Sequence, residues 1–72
     1  MDRSRQLQHL AEAEKHVLRG EQAISDQEQR IEELDHRGQD TTFARSLLET
    51  FLCTQIQFVA HRDQILRELD GA

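Results

Sequence analysis

The sequence predicts an all-α fold: an antiparallel two-helix hairpin of coiled-coil character that dimerises into a four-helix bundle. Three observations carry that expectation. The 72-residue chain has no proline and is rich in Ala, Glu, Leu, Arg and Gln, a composition suited to long solvated helices. One helix-breaking stretch, around Gly38, divides it. Apolar residues recur at helical spacing on both sides of that break.

The first predicted helix covers residues 4–36. Leu10, Val17, Ile24 and Ile31 stand seven residues apart and Leu34 closes the line, which is the spacing of a helix seam. Gly20 falls on this helix, where glycine costs about 1 kcal/mol relative to alanine. With Ala13 one heptad earlier, it places small residues beside Val17 and Ile24, so that another helix can approach closely. A bend at Gly20 is the alternative. Residues 37–40 form the turn. Gly38 suits the left-handed conformation that ends a helix, and His36 and Arg37 place positive charge at its C-terminus. Asp40 or Thr41 can accept hydrogen bonds from the free amides that open the next helix. A connection this short makes the two helices antiparallel.

The second predicted helix covers residues 41–69 and has a wider apolar face. Leu48, Phe51, Phe58, Ile65 and Leu69 form one line, and Leu52, Val59 and Leu66 form another beside it. Two adjacent lines call for two neighbours, the first helix and a second copy of the chain. The expected interface is therefore Leu48, Phe51, Leu52, Phe58, Val59, Ile65 and Leu66. Gln27 and Gln55 fall at seam positions, where polar groups fix register at some loss of stability. Asp26–Arg30, Glu33–Arg37 and Asp63–Arg67 have the acid-first, four-residue spacing of helical ion pairs.

Composition narrows the function classes. Residues 1–72 make one small domain, near the size at which a single core needs support. The lone Cys53 excludes an internal disulfide and reads as a free, partly buried thiol, and zinc-finger spacing is absent. Oligomerisation is the remaining support. A net charge of −5 argues against nucleic acid and anionic membrane as partners. Arg3, Arg5, Arg62 and Arg67 gather at the open end of the hairpin, but Asp2, Asp63, Glu68 and Asp70 offset them. No apolar run approaches the ~20 residues that span a bilayer, and no basic-then-apolar leader opens the sequence. Cytoplasmic is the expected location.

Chemistry-bearing residues are few. His9, Glu12 and His16 share one helical face, and a hairpin turning near Gln39 brings His61 near His16. Imidazoles and a carboxylate on neighbouring helices are the usual parts of a metal site in a bundle. The di-iron pattern, however, needs Glu-x-x-His on each of two helices, and only Glu33-x-x-His36 matches, at the turn. The histidines read as solvated, and neither a metal nor a cofactor is expected. There is no glycine-rich phosphate loop and no serine with histidine and acid partners. No catalytic residue is assigned, and the chain reads as a non-enzyme.

Three segments, His9-Leu10-Ala11-Glu12-Ala13-Glu14, Gly38-Gln39-Asp40-Thr41-Thr42 and Ala44-Arg45-Ser46-Leu47-Leu48-Glu49-Thr50-Phe51, resemble those of very short, uncharacterised bacterial proteins. Those proteins share a helix, a Gly-x-Asp-Thr turn and a second helix. The resemblance implies a free-standing bacterial hairpin. It rests on caps and seam positions, so it carries over no functional residue. Arg67-Glu68-Leu69-Asp70 shares the last three residues of the Ser-Gln-Glu-Leu-Asp motif found in hairpins that dephosphorylate response regulators, but it lacks the serine. The expected function is protein–protein interaction or scaffolding through the apolar face of the second helix. A homodimer is the first expected partner, and a helical protein is the other. A metal-binding bundle and a small RNA-binding hairpin dimer are the alternatives.

Overall fold

The computed structural model describes residues 2–71. Two helices, α1 (Arg3–His36) and α2 (Thr42–Gly71), pack along each other's full length in a rod measuring 55 × 14 × 13 Å. No strand occurs among the described residues. The boundaries fall within about two residues of those expected, a normal spread for helix ends. Neither helix is long and apolar enough to cross a membrane.

The turn is built from backbone chemistry. Gly38 takes φ +69°, the left-handed region that favours glycine. That conformation lets the Gly38 amide donate to Asp35 O at 3.0 Å and the Gln39 amide to Leu34 O at 2.9 Å. Together these bonds satisfy carbonyls that the end of α1 would otherwise leave open. Asp40 then starts α2. Its Oδ1 accepts from the Thr42 amide at 2.9 Å and from the Thr42 hydroxyl at 2.7 Å. These two bonds, the amide first, hold the Asp40 carboxyl below the usual carboxylate range. Thr41 contributes its carbonyl to the Arg45 amide and its hydroxyl to Arg45 Nε, both at 2.9 Å. At the other end of the rod, Asp2 caps α1 by accepting from the Ser4 amide.

The contact between the helices follows a single rule. The buried and half-buried residues of α1 include Gln6, Leu10, Ala13, Val17, Gly20, Ile24, Gln27, Ile31 and Leu34. The matching run in and just before α2 is Thr41, Ala44, Leu48, Phe51, Gln55, Phe58, Arg62, Ile65 and Leu69. Steps of three and four alternate without a slip in both, so each helix keeps one face toward the other for its whole length. Of the two apolar lines on α2, the one from Leu48 to Leu69 thus faces α1, with Gln55 and Arg62 filling its two gaps. Two helices cannot enclose a side chain on every side. None of the large side chains among the described residues is fully buried, and the deepest positions include the small Ala13 and Val17.

Ion pairing departs from expectation. Among the described residues the only ion pair is Arg62–Asp63, in which Arg62 Nε and Nη2 both donate to Asp63 Oδ1 at 3.1 and 3.0 Å. The Asp26–Arg30, Glu33–Arg37 and Asp63–Arg67 pairs do not form. Asp26 instead accepts from Gln22 Nε2 at 2.8 Å, and Asp63 is taken by Arg62. Exposed four-residue pairs are worth only a few tenths of a kcal/mol, so neighbouring donors displace them easily.

Candidate interaction surface

The polar groups of the seam set what is left outside it. Gln27 is 8% exposed and donates from Nε2 to Ala44 O across the hairpin at 2.9 Å. Gln55 donates from Nε2 to Val17 O at 2.8 Å in the opposite direction. Each glutamine thus reads a backbone carbonyl of the facing helix, and a shift of one heptad would break both bonds. Gly20 makes the second bond sterically feasible. A Cβ on residue 20 would overlap Gln55 Oε1, which is buried against it with no hydrogen-bond partner among the described residues. The small residue therefore serves approach within the hairpin, and α1 runs unbroken through Gly20.

With that register fixed, the two sides of the rod differ. On one side lie the residues that follow the seam positions: Leu7, Glu14, Glu21, Glu28 and Asp35 on α1, and Leu52, Val59 and Leu66 on α2. The α1 edge is acidic. The α2 edge is apolar, and Leu52 and Leu66 remain 44% and 38% exposed. Ile56 lies four residues after Leu52 and three before Val59, so it extends the same stripe, and it is 69% exposed. Cys53 and Ala60 border the stripe and are exposed. The expectation of a partly buried thiol is therefore corrected: Cys53 points away from α1 because its position falls on the outer face of α2.

The expected interface residues divide accordingly. Leu48, Phe51 and Phe58 face α1 and are half-buried within the hairpin, and Ile65, at 5% exposure, is spent there entirely. Leu52 and Leu66 make up the outward stripe, with Val59 half-buried between them. Ile56 was not assigned to the interface from the sequence. Its signal was present in the alternating steps from Leu52 to Ile56 to Val59, which match those of the inner seam.

The opposite side carries the histidines. His9, Glu12, His16 and His61 surround one shallow hollow of about 260 Å³, as the hairpin geometry foresaw. The His16 ring stacks on Phe58, with centroids 5.1 Å apart and planes 20° from parallel. Among the described residues no three His, Cys, Asp or Glu side chains are placed to hold a metal ion. A second hollow on this side, about 370 Å³, runs from His16 and Arg19 past Gly20 to Thr50 and Thr54. A third, near the turn, lies between Arg30, Leu34, Phe43 and Leu47. Phe43 is exposed at its rim.

No known protein family, curated protein or solved structure compared with the chain matches it. The outward stripe of α2 is accordingly read from its own chemistry.

Proposed function

We propose that the protein is a non-enzymatic interaction or scaffold module whose working surface is the outward apolar stripe of α2, and that it first associates with itself. One observation supports this most directly. Leu52, Ile56 and Leu66, with the half-buried Val59 between them, continue a helix-seam spacing on a face that α1 leaves partly open. A stripe with seam spacing is the shape that another helix fits. Leu7 and Leu18, both exposed, widen the apolar area on the same side of the rod. The hairpin's own seam is thin, so covering this stripe also adds the support that so short a chain needs.

Ile56→Asp tests the reading without touching the hairpin, since the residue is 69% exposed in the isolated chain. The expected outcome is a helical monomer in sedimentation equilibrium where the unaltered protein is a dimer. Self-affinity should fall by at least about a hundredfold, because two isoleucines per dimer each lose burial worth about 1.5–3 kcal/mol. Equal sedimentation of the two proteins would remove the stripe from the function.

A further inference from the structure

Resting on that reading, we infer that the stripe is covered by α2 of a second copy, lying antiparallel about a two-fold axis near Ile56 and Val59. The argument comes from the charges that end the stripe. Its N-terminal end carries Arg45 and Glu49, and its C-terminal end carries Arg67 and Asp70. When two α2 helices are set antiparallel with Ile56 against Val59 of the second copy, Arg45 falls opposite Asp70 and Glu49 beside Arg67. The two-fold axis makes each pairing twice. A parallel, in-register arrangement instead sets Glu49 against Glu49 and Asp70 against Asp70, a like-charge penalty at both ends.

Three features of the hairpin fit this partner. Among the described residues Glu49, Arg67 and Asp70 take part in no ion pair, which leaves them for a second copy. Asp63, the one charge inside the stripe, is already neutralised by Arg62 at 3.0 Å. Docking α2 against α1 of the second copy is disfavoured, because the α1 edge presents Glu14, Glu21 and Glu28 at successive heptad positions. Those carboxylates would be desolvated against leucine and isoleucine. From Arg45 to Asp70 the proposed contact is about 38 Å long at roughly 1.5 Å per residue.

The test is a charge exchange followed by sedimentation equilibrium at low salt, with circular dichroism confirming an intact hairpin for each variant. Glu49→Arg alone places two cations together twice per dimer and should weaken self-association by roughly tenfold. Adding Arg67→Glu to the same chain should return it to within about threefold of the unaltered protein. A double variant no tighter than the single one, or a single variant without effect, overturns the antiparallel register while leaving self-association standing. An unaltered protein that stays monomeric at all concentrations overturns the functional reading itself.

Discussion

The amide oxygen of Gln55 occupies the space that a β-carbon on Gly20 would need. The amide nitrogen of the same side chain bonds Val17 O, so one glutamine ties the middle of α2 to one turn of α1. The unpartnered oxygen rests against a glycine Cα–H, at most a weak donor. The seam therefore tolerates a helix-weakening glycine in exchange for a directional contact.

Gly20→Ala should bring none of the roughly 1 kcal/mol that alanine's better helix propensity offers, because the Gln55 amide must swing aside and give up its bond to Val17 O. In a Gln55→Ala background the clash is gone, and the same change should stabilise by up to about 1 kcal/mol. Urea unfolding followed by circular dichroism, at one fixed chain concentration, measures all four corners of the cycle. A gain seen only in the Gln55→Ala background is the signature. Two changes that simply add would mean that the close approach carries no energy.

Gly38→Ala should cost about 1–2 kcal/mol through the backbone alone. Among the described residues no neighbour beyond the adjoining ones lies within 4 Å of the added carbon, so crowding makes no contribution. Gly38→Asn should recover part of the loss, since asparagine enters the left-handed region more readily. Thermal melts of the three proteins decide it. Equal melting of Ala and Asn variants would contradict a φ-driven effect.

Asp40 gives the turn an acid-sensitive element. Its folded pKa is depressed by the Thr42 amide and hydroxyl, so its carboxylate stabilises the fold above the unfolded value of roughly 3.9. That contribution disappears as pH falls through the lower, folded value. Asp40→Asn keeps an acceptor but cannot titrate there. The melting-temperature gap between the two proteins should stay constant above about pH 5 and narrow toward pH 2.5. A gap that widens on acidification would mean that the neutral acid is the better cap.

Much of the fold was legible because the relevant signals are local. Gly38 and Asp40 announce a helix stop and a helix start within three residues, and Gln27 and Gln55 stand out as polar groups at seam positions. The solvent-exposed ion pairs were not legible. Each competes with near-equal neighbours, as when Arg62 takes Asp63 away from Arg67. Cys53 was misjudged because apolar neighbours in sequence suggested burial, whereas on a helix they point in different directions.

The candidate surface was half legible. The sequence showed two apolar lines on α2 but could not say how deeply each is used. Phe51, Phe58 and Ile65 proved to face inward, leaving Leu52 and Leu66 outside and adding Ile56 to them.

From residue order alone came the two helices, the caps that flank the turn, the antiparallel connection and the excess of apolar side chains on α2, because each depends on spacing within a few turns of helix. The pairing of the helices decided the rest. Only when Gln55 lies over Gly20 and Gln27 reaches Ala44 does the rotation of α2 about its axis become fixed. That rotation selects which of its apolar residues face α1 and which face water, a choice that short-range periodicity leaves open.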